Sequence, residues 1–121
     1  MKRFFGILVL VAVLTTLPLA AQKAKEQTIK GEVIEISCYL KDGSRGKDHK
    51  ECGTTCAKAG APLAVLSKGK MYVILLADDH KNDGTEKLMP FIGEVVTVKG
   101  EVTKARNGVN GIVVSSVEPS K

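Results

Sequence analysis

Leu88–Val102, LMPFIGEVVTVKGEV, changes its period partway along, and that change decides the fold class. A short helix is expected over Asn82–Ile92, with Asp83 or Thr85 as its cap and Leu88 with Phe91 or Ile92 facing inward. Pro90 cannot donate a backbone hydrogen bond, which limits that helix to about two turns. After Gly93 the pattern becomes a strand. Val96, Val98, Gly100 and Val102 alternate with Thr97, Lys99, Glu101 and Thr103, the two-residue period of a half-buried strand.

Working outward, Asn107-Gly108 marks a turn, and Gly111–Val117 is a final strand. Upstream, Ala61–Ser67 and Met71–Ala77 are two short apolar runs separated by Lys68-Gly69-Lys70, the pattern of a hairpin. Thr28–Ile36 is the first strand, in which adjacent Val33 and Ile34 break the alternation and predict a bulge or bend near Gly31. Ile29-Lys30-Gly31-Glu32-Val33 recurs as Val98-Lys99-Gly100-Glu101-Val102, 69 residues later. Two strands that each bend at a glycine while turning a small barrel's corner require the same local pattern.

The order is strand, insert, strand, strand, short helix, strand, strand. It resembles the OB-fold, a mainly β, five-stranded Greek-key barrel with a helix between its third and fourth strands. The resemblance covers most of residues 28–121, read as one OB-like domain with an insert at 38–60 between strands one and two. Leu88–Val102 is similar to the helix-to-fourth-strand passage of small exported bacterial OB-like domains. The insert, SCYLKDGSRGKDHKECGTTCAKAGAPLAVL, is similar to small exported bacterial proteins with Cys-Tyr-Leu, a glycine-containing loop, His-x-x-Cys-x-x-x-Cys and a Gly-x-Pro exit. That group, which has no established activity, implies a fold and an exported location.

The N-terminus agrees with export. Lys2 and Arg3 precede the apolar run Phe4–Leu14, and Thr15–Ala21 (TTLPLAA) suits a signal peptidase cutting after Ala21. Residues 1–21 are therefore expected to be a signal peptide and 22–27 a polar lead-in, with no membrane span after cleavage. The location expected is periplasmic or secreted. Removing Lys2 and Arg3 lowers the formal charge from +5 to +3, a mildly basic soluble surface. Two arginines, Tyr39, Tyr72, Phe91 and no tryptophan remain, too few for the basic and stacking surface that nucleic acid requires.

Cys38, His49, Cys52 and Cys56 fall within nineteen residues. An exported protein ordinarily pairs its cysteines, and three cannot all pair within one chain. Asp48 is expected to cap a helix running from about His49 to Gly60, with Pro62 blocking continuation. His49, Cys52 and Cys56 then fall within an arc of about 60° on one face. Cys38 ends the first strand, and the loop Tyr39–Asp48, with Gly43 and Gly46, carries the chain back over that face. Three thiolates with an imidazole suit zinc, and the thiolates alone suit Cu(I). One ion cannot easily span positions i to i+7, about 10.5 Å apart along a regular helix. His49 is then a fourth ligand only from a frayed first turn, or a neighbour that does not ligate.

The expected function is binding, delivery or sensing of copper or zinc, without catalysis. A Cys38–Cys52 or Cys38–Cys56 disulfide is the alternative, stabilising by about 2–4 kcal/mol an interaction module for an exported protein or glycan partner. An odd thiol also allows a disulfide-linked or metal-bridged dimer. A small thiol redox protein is the third reading, with Cys52 activated near a helix N-terminus by His49. Asp78, Asp79 and His80 with Asp83 could hold a harder divalent ion or supply acid–base groups, but a solvated loop leading into a capped helix is the favoured reading of the same residues. Met71 and Met89 fall where core residues are expected.

Overall fold

In β4 (Val95–Val102) the alternation of the sequence becomes an alternation of burial. Val96, Val98 and Gly100 are buried, while Val95, Lys99 and Glu101 face solvent. The computed structural model describes residues 25–121 except Asn82 and Lys104. The expected signal peptide, 1–21, and residues 22–24 lie outside the described residues. The rest of the lead-in is not a tail. β1 (Glu26–Glu35) already includes Glu26 and Gln27, which pair with Glu101 and Gly100 of β4. Backbone pairing extends this strand regardless of its polar side chains.

β2 (Leu63–Ser67), β3 (Lys70–Leu75) and β5 (Asn110–Pro119) complete a mainly β structure. The five strands close into a ring in the order β1-β2-β3-β5-β4. All pairings are antiparallel except β3 with β5. Lys68-Gly69 and Asn107-Gly108 turn with positive φ at both positions, as two-residue hairpins favour. The core gathers Val33, Val65, Ile92, Val96, Val98 and Ile112 inside the ring. α3 (Gly84–Leu88) lies between β3 and β4, as expected. Asp83 caps it by accepting from the Thr85 N–H at 2.8 Å, and a 3-10 turn carrying Pro90 ends it. Leu88 and Ile92 are both buried; Leu88→Ala would cost about 2–5 kcal/mol.

The bulge expected near Gly31 lies elsewhere. The register shift is in the β4–β5 ladder at Lys99/Gly100, where Ser115 has no residue opposite it on β4. β1 keeps its register through Gly31↔Val96 and changes neighbours there, pairing with β4 up to Glu32 and with β2 from Glu32 onward. The repeated Lys-Gly-Glu-Val motif has a steric cause. A Cβ on Gly31 would stand 2.5 Å from the Leu66 carbonyl oxygen, and one on Gly100 would stand 2.3 Å from that of Val113. Gly31→Ala is expected to cost about 2–3 kcal/mol in urea denaturation, because backbone must move to admit the methyl. A loss under 0.5 kcal/mol would contradict this packing.

The insert between β1 and β2 is more helical than expected. α1 (Ile36–Asp42) follows β1 directly, a 3-10 turn spans Lys47–His49, and α2 spans Lys50–Lys58. Both ends of the insert meet at one point, where the Ile36 N–H donates to the Pro62 carbonyl at 3.0 Å. Gly53 and Ala57 form the buried stripe of α2. Gly53 lies so close that a Cβ there would be 2.8 Å from Ile92 and 3.6 Å from Glu35. α2 thus covers the end of the ring where β1 delivers Glu35.

Candidate metal centre

Glu35 organises the site. It is the last residue of β1, fully buried, and its carboxylate turns back to cap α1. It accepts from the Ser37 N–H at 2.6 Å and the Cys38 N–H at 2.8 Å, two of the donors that a helix start leaves without partners. Cys38 therefore lies in the first turn of α1 and does not end the strand, which corrects its expected placement. The loop assigned to Tyr39–Asp48 is likewise helix up to Asp42. Gly43, with φ 78°, stops that helix, its N–H donating to Tyr39 O at 2.9 Å.

The next link fixes where α2 starts. The Gly46 N–H donates to Glu32 Oε1 at 2.6 Å, and Arg45 pairs with Glu32 at 3.8 Å. Gly93 packs against Gly46, while Lys50 bonds Glu94. Asp48 is not the cap of α2. The chain enters through the 3-10 turn, and His49 occupies the cap position without a side-chain hydrogen bond. His49 therefore lies outside α2, and the single helical face expected for His49, Cys52 and Cys56 does not form. Cys52 and Cys56 do lie inside α2, four residues apart, and so adjoin on its surface beside the Gly53/Ala57 stripe. Gly60 and Pro62 follow the end of α2, as expected.

Cys38, Cys52 and Cys56 are free thiols. Their sulfur atoms all lie within 4.8 Å of one another and could hold a metal ion. Cys52 is exposed, and the other two are half-buried. His49 belongs to a different group: one ring nitrogen, a Glu35 carboxylate oxygen and the Cys38 sulfur also lie within 4.8 Å of one another. Among the described residues, these two groups are the ones that bring three such donors together. Cys38 is common to both. His49 Nε2 is buried and has no hydrogen-bond partner.

The electrostatics follow from this arrangement. The hydrogen bond to the Glu35 carboxylate, then burial and the neighbouring Cys56, push the Cys38 thiol up to about 12. Burial of Glu35 opposes its charged form, but hydrogen bonds from Cys38 and Ser37 outweigh it and hold the carboxyl below its ordinary range. The Cys38 thiol thus holds its proton firmly, and any ion bound there would have to displace it. Iodoacetamide at pH 8 is expected to label Cys52 first and Cys38 last, with the Cys38 rate still rising above pH 10. Peptide mass spectrometry reads that order, and equal rates for the two would contradict it.

A group held below its ordinary pKa stabilises the fold above that ordinary value, and the stabilisation is lost as pH falls through the lowered one. Glu35→Gln keeps one acceptor and loses the charge. It is expected to cost about 1–2 kcal/mol at pH 7 and to flatten the acid limb of the stability curve. Urea melts between pH 3 and 7 test this; an acid limb as steep as in the native chain would contradict it.

Asp78, Asp79 and His80 lie in an exposed turn, where the His80 N–H donates to Ala77 O at 2.9 Å and the Lys81 N–H to Asp79 Oδ1 at 3.0 Å. Asp83 serves as the α3 cap. Met89 packs against the core, and Met71 is half-buried in β3. The residue that the sequence did not flag is Glu35. Its signal was a lone carboxylate in the apolar run Val33-Ile34-Glu35-Ile36, followed eight residues later by a helix-stopping Gly43. No helix among the described residues is long and apolar enough to cross a membrane. Comparison with models of protein families, with curated proteins and with solved structures finds no match.

Proposed function

We propose that this chain is an exported, OB-like Greek-key protein that binds copper or zinc, and that it serves in binding, delivery or sensing of the ion without catalysis of its own. The carrying observation is the mutual approach of the Cys38, Cys52 and Cys56 sulfurs within 4.8 Å. Thiolates about 2.3 Å from one ion stand just under 4 Å apart, so only a small closure is needed. One sulfur comes from α1 and two from α2, both seated on a closed ring, so the donors are positioned before the ion arrives. Cys52, the exposed one, gives an incoming ion its first contact. Two donors held by rigid neighbours and one in solvent suit capture and hand-over.

A disulfide-stapled interaction module is the second reading, and it draws on the same proximity of the Cys38 sulfur to those of Cys52 and Cys56. A thiol redox role, which needs Cys52 activated by His49, has less support, since His49 groups with Glu35 and Cys38 and not with Cys52. Native mass spectrometry of the protein, exported into a metal-replete medium and purified without chelator, separates these readings. Bound copper or zinc, released on acid denaturation to leave three titratable thiols, is the expected result. A metal-free mass two hydrogens light, with one titratable thiol, would replace the metal reading with the staple.

A further inference from the structure

We propose that the site holds two divalent ions bridged by the Cys38 thiolate, one bound by Cys38, Cys52 and Cys56 and the other by Glu35, Cys38 and His49. This rests on the metal-binding reading above and deepens it. The two donor groups meet only at Cys38, each within 4.8 Å. A single ion at the thiolates would leave Glu35 and His49 unused beside it. Two ions each about 2.3 Å from one sulfur can stand up to about 4.6 Å apart, enough for each to reach its own pair of further donors.

Three features prepare the second position. His49 Nε2 is buried without a hydrogen-bond partner, which is costly unless something takes its lone pair or its proton. The Glu35 carboxylate accepts two backbone N–H groups, and with about four lone-pair sites it keeps acceptor capacity for an ion. Charge makes the third case. Three thiolates and Glu35 carry four negative charges, and one divalent ion leaves half of them uncompensated beside a buried carboxylate. Two divalent ions neutralise the set, with His49 a neutral ligand. The nitrogen, oxygen and sulfur donors of the second position suit zinc, and cadmium serves as its spectroscopic substitute.

The test is titration of the purified, reduced, metal-free protein with cadmium, followed by native mass spectrometry and cadmium NMR. Two ions per chain are expected, with two resonances, one typical of sulfur-rich and one of mixed nitrogen, oxygen and sulfur coordination. His49→Ala should remove the mixed-donor resonance and one ion, leaving the sulfur-rich one. Cys52→Ser should instead weaken or abolish the sulfur-rich site. Saturation at one ion per chain, or a His49→Ala protein that still binds two, would overturn the bridged pair while leaving the metal reading in place. Failure to bind any ion would overturn both. Glu35→Gln should also lose the second ion. Because Glu35→Gln also weakens the cap of α1, the His49 variant carries the decision.

Discussion

Cys38→Ser is expected to weaken ion binding by more than a hundredfold, the largest functional effect of any single change in this chain. Loss of a hydrogen-bond partner one step removed from a metal ordinarily costs about 10–100-fold, and here a donor shared by both groups is removed. The serine hydroxyl can still donate to Glu35, so the cap on α1 and the fold should survive. Circular dichroism and the melting temperature of the ion-free variant should therefore match those of the ion-free native protein. Equilibrium titration with zinc against a competing chelator gives the affinity. Undiminished affinity would remove Cys38 from the site. If a disulfide staple were the true state instead, the same substitution would lower stability by about 2–4 kcal/mol and leave no metal effect to measure.

The second large effect is structural. Gly93 has a φ of 78° and sits against Gly46; a Cβ at Gly93 would be 2.2 Å from the Gly46 carbonyl oxygen and 2.7 Å from its carbon. Both neighbours are backbone, so no rotamer change can relieve the clash. Gly93→Ala combines left-handed strain of about 1–3 kcal/mol with displacement of the insert, and a total loss above about 3 kcal/mol is expected. The Gly46 carbonyl also accepts from the His49 N–H at 3.1 Å, so displacing it should move His49. Urea denaturation measures the first effect, and the second cadmium resonance reports the other. A Gly93→Ala protein of native stability would mean that the Gly46–Gly93 contact is not held as described.

The parts legible in the sequence were those decided locally. The β4 alternation, the Pro90-limited helix with its Asp83 cap, and the two glycine-bearing hairpin turns each rest on neighbouring residues. α1 was not legible because Ile36-Ser37-Cys38-Tyr39 has no strong helix preference and continues an apolar strand. The deciding interaction is Glu35 folding back onto two N–H groups, and glutamate is not a favoured cap residue. The cysteines were legible by chemistry, but their partition was not. A helix starting near His49 put the imidazole on the cysteine face, as a fourth ligand or a neighbour that does not ligate, whereas beyond the 3-10 entry at Lys47–His49 the imidazole groups with Glu35 and Cys38. The parallel β3–β5 pairing is likewise a property of ring closure, which no local pattern records.

The hydrogen bond from Ile36 to Pro62 closes the insert at its base, and Gly53 and Ala57 of α2 cover the core at Ile92. The insert cannot swing away without uncovering the interior of the ring, so the two share one cooperative unfolding unit. Any ion held in the insert then stabilises the whole chain by mass action, by about 2.7 kcal/mol when free ion stands at a hundred times its dissociation constant. If the chain binds metal as proposed, starvation of ion should open it more often and speed its clearance by proteases, so its steady-state abundance would follow the supply of metal around it.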